Sequence, residues 1–219
     1  MATFLGTPLD RAFFLGPPEE VAVRLLGCML VRHTAEGPLA GRIVEVEAYL
    51  GPHCTPSDPA AHAFRGPTPR NQVLFGQAGH AYVYSIYGQY FCMNISCEPK
   101  GRAGCVLLRA LEPVLGLDEM ARNRGLATGA RPAELTSGPS RLCQALGLTR
   151  ALANGLDLLD PASPLQVFGG SIPEQNKRKT PRIGIKEAVD WPLRFIVADH
   201  PCLSGAKRLN QGGSALSGA

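Results

Sequence analysis

The clearest hydrophobic pattern in the chain is a period-two alternation that ends at Tyr49. It predicts a strand over residues 39–49, because successive side chains of a strand point to opposite faces. The two faces differ in character, with Val44, Val46 and Ala48 on one and Ile43, Glu45, Glu47 and Tyr49 on the other. A preceding apolar run over residues 28–33 and a turn at 35–38 complete a predicted hairpin.

Three further strand-like runs follow after a long interval, over residues 80–87, 89–96 and 105–111. Gly88 joins the first two, and a Pro-Lys-Gly-Arg turn over residues 99–102 precedes the third. Such short links predict an antiparallel meander. The interval itself, residues 51–79, is rich in Pro, Gly and His without a sustained period, and is predicted to be a long loop.

Helical signals flank these strands. Pro17 and Pro18 followed by two glutamates are typical of a helix start, and Gly27 can end that helix. Helices are also predicted over residues 117–124 and 140–146, and late strands over 182–185 and 193–197. The fold class is therefore α+β, a mostly antiparallel β-sheet flanked by helices.

Length and composition favour one domain. A chain of 219 residues can bury a substantial core. We expect a folded domain over residues 1–203 and a disordered tail over 204–219, where Gly, Ser and Ala dominate. No apolar run reaches 18 residues and no export signal is evident, so we expect neither membrane insertion nor export.

The seven cysteines suggest a reducing compartment, since they are odd in number and several lie in apolar runs. We therefore expect a cytoplasmic protein. The histidines and cysteines show no spacing typical of metal ligands, and no phosphate-binding or dinucleotide-binding motif occurs. We expect no metal and no cofactor.

The net charge of +4 permits a nucleic-acid partner without requiring one. Basic residues concentrate in two places, residues 100–150 and residues 177–182. Taken alone, either cluster is more typical of a solvated surface than of a binding site.

Glu47 and Arg109 are charged residues inside apolar strands, where an unpaired charge would cost several kcal/mol. One interpretation is a structural salt bridge, in which Glu45 or Glu112 could replace Glu47. The other is a catalytic pair, in which Glu47 holds a water and Arg109 keeps the carboxylate ionised. Local sequence favours the salt bridge.

All five tyrosines fall between Tyr49 and Tyr90. Tyrosine suits half-buried strands, but a set of them can also stack on nucleobases. Tyr87 stands at a predicted hairpin tip, where an aromatic ring could wedge into a base stack. Asn94 could be a satisfied core amide and His62 an ordinary surface histidine.

The order of several motifs resembles the alkyladenine (3-methyladenine) DNA glycosylase family of the mammalian type. The matching strings are GRIVEVEAY (41–49), TPRN (68–71), YVYSIYG (82–88), YFCMNIS (90–96), VLLRALEP (106–113) and SGPSRLCQAL (137–146). The resemblance covers roughly residues 21–197. It implies a compact single domain with a curved antiparallel sheet, and a monomer that acts on double-stranded DNA containing damaged purines.

The resemblance also implies a role for each matching residue. Glu47 corresponds to the general base that activates water, and Arg109 to the residue that positions this water. The flipped base would lie between Tyr49, His62 and Tyr84, and Asn94 would disfavour the amino group of normal guanine. Tyr87 would fill the hole left by the flipped nucleotide, and the DNA backbone would contact Arg70, Arg124 and Arg141.

The implied activity is hydrolysis of the N-glycosidic bond of purines such as 3-methyladenine, 7-methylguanine, hypoxanthine or ethenoadenine, leaving an abasic site. No lysine falls in the pocket strings, which fits a glycosylase without a Schiff base. Residues 51–59 form a longer segment than the family's usual spacing, and Gln89 replaces a methionine beside Tyr87. The alternatives are a non-catalytic nucleic-acid-binding module on the same fold and a small-molecule hydrolase or deaminase.

Overall fold

The computed structural model describes residues 6–216, in which ten strands form one antiparallel sheet. In chain order the strands are β1 (Thr7–Pro8), β2 (Met29–Thr34), β3 (Gly37–Tyr49), β4 (Ala81–Ile86), β5 (Tyr90–Cys97), β6 (Gly104–Leu115), β7 (Leu165–Gly169), β8 (Lys177–Thr180), β9 (Arg194–Val197) and β10 (Ser214–Ala215). The main path through the sheet is β1-β7-β2-β3-β6-β5-β4. The α+β class predicted from the sequence is confirmed.

Strand β3 is the branch point of the sheet. One edge of β3 pairs with β6, while β2 pairs with the first half of the other edge and β9 with residues 45–47 of the second half. The β3–β6 register shifts on both sides of Glu45. Such irregularities bend a strand and re-aim its side chains. The branch leaves the Glu45–Glu47 segment covered by the late part of the chain.

Five helices pack around the sheet: α1 (Pro18–Leu25), α2 (Leu117–Asn123), α3 (Pro132–Thr136), α4 (Pro139–Ala145) and α5 (Arg150–Ala153). The acidic first turn of α1 faces the positive end of the helix dipole. The main core joins α1 to the apolar face of β3, through Val21 and Leu25 on the helix and Val44, Val46 and Ala48 on the strand. The alternation in the sequence therefore predicts this core face correctly.

Most predicted elements are present with ends that differ by a few residues. The hairpin, the meander and the helices now labelled α1, α2 and α4 are confirmed, as is β9. Residues 51–79 form the expected long connection, with one 3-10 helix at Gln72–Phe75. The short elements β1, β7, α3 and α5 were not predicted, because two to five residues carry too little periodicity.

The predicted strand over residues 182–185 is wrong. The strand of this region is β8, and residues 182–185 form a loop. The loop contacts acidic side chains from other parts of the chain and does not pair with a strand. Arg182 pairs with Asp58, and the backbone N–H of Ile183 donates to Glu47 Oε1 at 2.8 Å.

The expected disordered tail also differs from the structure over residues 204–216. Ser204 is buried against Glu45, and Arg194 donates to the carbonyl of Leu209 and the side chain of Asn210. Strand β10 then pairs with β8. Composition concealed these contacts, because the tail is fixed by partners that lie elsewhere in the sequence. Residues 217–219 of the predicted tail lie outside the described residues.

Candidate active site

A cavity of about 390 Å³ opens between the meander and the 183–185 loop. This volume lies within the range of small-ligand sites. Six of the residues singled out from the sequence line it: Tyr49, His62, Tyr84, Tyr87, Asn94 and Arg109. The fold thus gathers residues separated by up to 60 positions around one opening.

Glu47 lies directly behind this lining and is fully buried. Its Oε2 accepts a hydrogen bond from the Tyr49 hydroxyl at 2.8 Å. Its Oε1 accepts from the Ile183 N–H at 2.8 Å and lies 3.1 Å from Arg109 Nη1. Two hydrogen-bond donors and one guanidinium therefore surround the carboxylate, and each of them belongs to a residue that also lines the cavity.

Arg109 bridges two carboxylates on the same face of β3. Its Nε donates to Glu45 Oε1 at 2.9 Å, and its Nη1 pairs with Glu47. Burial lowers the pKa of Arg109, but the charges of Glu47 and Glu45 outweigh burial and hold this pKa above its ordinary value. Arg109 therefore stays cationic. The guanidinium thus forms a buried salt bridge with Glu45 and with Glu47, while the catalytic role of the second pair stays a prediction.

Glu45 is the more heavily bonded carboxylate. It accepts from Arg194 Nε at 2.8 Å and from the backbone N–H and hydroxyl of Ser204 at 2.5 and 2.7 Å. Burial raises the pKa of Glu45, but Arg109, Arg194 and Ser204 together bring it below its ordinary value. Glu112, the other candidate partner of Arg109, pairs instead with Arg42.

Aromatic rings form one wall of the cavity. The rings of Tyr82 and Tyr84 stack with centroids 5.5 Å apart, and His62 meets the edge of Tyr84 at 4.4 Å. His62 Nδ1 lies 3.1 Å from the Tyr82 hydroxyl. One side of the His62 ring is open to solvent; burial of the other side, and then the charge of Arg70, lower its pKa. A neutral His62 is expected near pH 7.

Tyr49 and Asn94 complete the lining. The guanidinium carbon of Arg182 lies 4.6 Å from the centre of the Tyr49 ring, so the 182–185 loop packs against this ring. Burial, and then the negative charge of Glu47, raise the pKa of Tyr49, so its hydroxyl remains a donor. Asn94 is buried and donates to the Tyr82 carbonyl at 3.4 Å, while the Cys105 thiol lies 3.7 Å from its Oδ1.

Comparison with known proteins accounts for this arrangement. Residues 12–201 match the methylpurine-DNA glycosylase family. The chain belongs to this family. It is 49% identical to a protein of Koribacter versatilis over 92% of this chain and 95% of that one. It is 50% identical to one of Methanoculleus marisnigri over 86% and 94%, and 46% identical to one of Streptomyces avermitilis over 90% and 91%. Each of the three bears the name "Putative 3-methyladenine DNA glycosylase".

These matches identify the protein as a DNA glycosylase of alkylated-base repair, whose substrate is DNA. In residues 6–216, no helix has both the length and the apolar character needed to span a membrane.

Among the described residues of this glycosylase, Tyr87 is the most exposed large hydrophobic side chain, with 90% of its surface accessible. It stands in the turn between β4 and β5, where Tyr87 and Gly88 have φ angles of 49° and 74°. A left-handed φ is uncommon for a residue other than glycine. The turn therefore presents the ring at the rim of the cavity rather than folding it into the core.

The three arginines predicted to contact DNA lie outside the cavity. Arg70 is exposed, donates to the Ser85 carbonyl at 3.3 Å and lies 5.6 Å from the Tyr84 ring centre. Arg124 ends α2 and donates to Gln144, and Arg141 is exposed on α4. Burial, and then the charge of Arg141, lower the pKa of Arg124, which indicates that the last two form one basic patch.

The second basic cluster of the sequence is only partly exposed. Lys177 is buried and pairs with Glu174 at 2.5 Å, and Arg182 is buried in a two-pronged pair with Asp58. Arg178 and Lys179 are half-buried. Charge counted along the sequence did not reveal the Arg182–Asp58 pair, because its members lie 124 positions apart.

Sequence reasoning missed three residues that shape the site: Ile183, Arg182 and Asp58. Ile183 acts through its backbone N–H, which no side-chain motif can reveal. The Arg182–Asp58 pair ties the late loop to the segment before His62, since Asp58 also accepts from the backbone N–H groups of Leu50 and Ala60.

Proposed function

We propose that this glycosylase flips an alkylated or deaminated purine out of duplex DNA into the cavity and hydrolyses its N-glycosidic bond, with Glu47 activating the water. The observation that carries the proposal is the position of Glu47. It is a buried carboxylate held by two hydrogen-bond donors and an arginine immediately behind an aromatic cavity. The product is an abasic site.

The hydrogen bonds of Glu47 leave room for one water. Oε1 accepts from the Ile183 N–H and lies against the Arg109 guanidinium, whereas Oε2 has only the Tyr49 hydroxyl among the described residues. A carboxylate oxygen can accept two hydrogen bonds. A water bound at Oε2 would donate to that vacant lone pair, and Arg109 would hold the carboxylate in place as the base.

The negative charge of Glu47 would also assist cleavage of the glycosidic bond. Glycosidic cleavage passes through an oxocarbenium-like sugar, and a preorganised carboxylate stabilises this positive charge. The proton that Glu47 takes from water leaves hydroxide to form the new C1′–O bond as the C1′–N bond breaks. The purine departs with the bonding electron pair. No lysine lines the cavity in the described part of the chain, which supports hydrolysis without a Schiff base.

The aromatic lining favours cationic purines. The faces of Tyr49 and Tyr84 can attract a positively charged ring, as in 3-methyladenine or 7-methylguanine. Such bases are also good leaving groups. Hypoxanthine and ethenoadenine are neutral and need protonation before they leave, so we propose that they are excised more slowly. Asn94, at the buried end of the cavity, would disfavour the exocyclic amino group of normal guanine.

Residues outside the cavity would hold the DNA duplex while the purine is flipped out. Tyr87 would enter the gap left by the flipped nucleotide, and Arg70, Arg124 and Arg141 would contact phosphates on either side. This arrangement needs one copy of the chain, in keeping with a monomer. Cytoplasmic location, in contact with the nucleoid in a bacterium, remains a prediction.

The proposal is tested with metal-free protein and duplex oligonucleotides that carry one 7-methylguanine, hypoxanthine or ethenoadenine. We expect alkali-labile abasic sites from the lesion strands, fastest for the methylated purine, and none from undamaged duplex. Borohydride should trap no covalent complex. Binding to lesion DNA without base release would indicate a non-catalytic module, and release from free nucleosides alone would indicate a small-molecule hydrolase.

A further inference from the structure

A second group of chemically active side chains lies outside the base cavity, where the segment after β3 meets the turn after β5. His53 Nε2 lies 2.9 Å from Glu98 Oε1 and 3.5 Å from Cys54 Sγ. The ligand atoms of these three residues all lie within 4.8 Å of one another. The sequence predicted no metal site, because Glu98 is 44 positions from Cys54. The fold brings them together in what we call the His53 cluster.

The hydrogen bonds of His53 orient it as metal-binding histidines are oriented. Its Nδ1 lies 3.0 Å from the backbone carbonyl of Arg102, and a carbonyl oxygen can only accept. Nδ1 is therefore the donor to that carbonyl, and Nε2 is the ring atom that faces Glu98. Metal-ligating histidines usually donate their other ring N–H to a carbonyl or carboxylate in this way.

Glu98 is a buried carboxylate with unfilled bonding capacity. It is 5% exposed, and its Oε2 packs against Gly104 without accepting a hydrogen bond of acceptable geometry from residues 6–216. A buried charge normally has a full set of partners, because desolvation is otherwise costly. His53 Nε2 and Glu98 thus face each other, and a cation bound here would give the buried carboxylate a further partner.

Cys54 adds a thiol to this pair. It is the one partly exposed cysteine of the seven, and the other six are buried. The cavity beside the cluster contains a further carboxylate, Glu19 of α1, and one basic side chain, Arg102.

The donor set identifies the cation. Nitrogen, sulfur and oxygen ligands together suit Zn²⁺, whereas Ca²⁺ and Mg²⁺ select oxygen. Zn–N and Zn–S bonds of about 2.0 and 2.3 Å at a tetrahedral angle place N and S roughly 3.5 Å apart, and N and O roughly 3.3 Å apart. The observed N–S distance of 3.5 Å fits this geometry, the N–O distance of 2.9 Å would open by a few tenths of an ångström, and the third distance is at most 4.8 Å.

We propose that His53, Cys54 and Glu98 bind one Zn²⁺ ion, with solvent at the fourth position. The ion would fasten the 51–59 segment to the turn between β5 and β6. This segment leads directly to Asp58 and His62, so the ion would stabilise the approach to the base cavity without taking part in base release.

The test is a titration of chelator-stripped full-length protein with Zn²⁺ in competition with a chromophoric chelator. We expect one equivalent per chain, at least tenfold weaker binding in Cys54→Ser and Glu98→Gln, and unchanged binding in His33→Ala. His33 is the matched control because it is an exposed histidine bonded to Gln166, outside the cluster. Zn²⁺ should raise the melting temperature of the wild type but not of Cys54→Ser.

Co²⁺ gives a second readout that does not depend on any variant. Bound at the His53 cluster, it should show the near-ultraviolet charge-transfer absorption of a cobalt–thiolate bond. Absence of stoichiometric Zn²⁺ binding, absence of this absorption, or binding that survives Cys54→Ser would each overturn the proposal. Binding lost in His62→Ala but kept in Cys54→Ser would place the ion in the base cavity instead, which also overturns it.

Discussion

Glu45 and Glu47 stand two residues apart on one face of β3 and share Arg109, yet their surroundings differ. Glu45 has two arginines and both donors of Ser204 around it, far from open space. Glu47 has one arginine, one tyrosine hydroxyl and one backbone N–H, all from residues that line the cavity. Both carboxylates are buried, and each has one oxygen with a single hydrogen-bond donor, so what distinguishes Glu47 is that all its partners line the cavity. Burial, charge and a spare lone pair therefore do not by themselves identify the proposed base.

The largest effect is expected on stability, from a substitution of Glu45. Glu45→Gln keeps the shape of the side chain but leaves the fully buried Arg194 without its counter-charge. Removing one partner of a buried pair costs about 3–5 kcal/mol. Urea denaturation should therefore show a loss of this size in the free energy of unfolding.

The matched control for this prediction is Glu112→Gln. Glu112 pairs with Arg42 at 3.1 Å, but its side chain is 42% exposed, so the loss should be below about 1 kcal/mol. Equal losses in the two variants would contradict the view that Glu45 anchors the late part of the chain.

A smaller effect is expected where the hydroxyl of Tyr49 meets Glu47. Tyr49→Phe keeps the aromatic wall and removes the donor to Oε2. A hydrogen bond to a charged group is worth roughly 1.5–3 kcal/mol, so single-turnover base release should slow by at least tenfold. Tyr90→Phe, at the first position of β5 and outside the cavity, serves as the control. A rate within twofold of wild type for Tyr49→Phe would show that the hydroxyl does not orient Glu47, the proposed general base.

Next in size is the contribution of the hairpin tip. Tyr87→Ala removes an exposed ring from the rim of the cavity, and aromatic stacking on bases is worth about 1–3 kcal/mol. We expect lesion excision to fall about tenfold at subsaturating enzyme, with Tyr90→Ala affected much less. Fluorescence of 2-aminopurine beside the lesion would report flipping directly, and unchanged flipping would refute the wedge role.

The smallest effect concerns the phosphate contacts. Arg141→Ala, on the exposed face of α4, should weaken DNA binding a few-fold for every sequence and lower the salt dependence of log K by about one unit. Arg208→Ala, in the exposed 3-10 helix Lys207–Leu209, is the control. An equal change in both variants would mean that Arg141 contributes only through net charge.

The fold was predictable where local pattern and tertiary structure agree. The alternation through Val44, Val46 and Ala48 predicted the buried face of β3, and glycine at position 88 predicted the turn of the meander. The loop at residues 182–185 was predicted as a strand because its apolar residues look the same whether they pair with a strand or cover a cavity.

The site was predictable only as far as side-chain motifs extend. Tyr49, His62, Tyr84, Asn94 and Arg109 lie together as the resemblance implied. Ile183 and the Asp58–Arg182 pair could not be predicted, because a backbone donor and a pair 124 positions apart leave no local signal. The His53 cluster was missed for the same reason.

The role of Glu47 as general base is tested most directly by single-turnover excision with Glu47→Gln, with the affinity for lesion duplex measured in parallel. General-base catalysis contributes about 10²–10⁴-fold. We therefore expect a loss of that size in the rate of base release, with an affinity within a few-fold of wild type. A rate near that of the wild type would contradict it, because the activated water would then need another base.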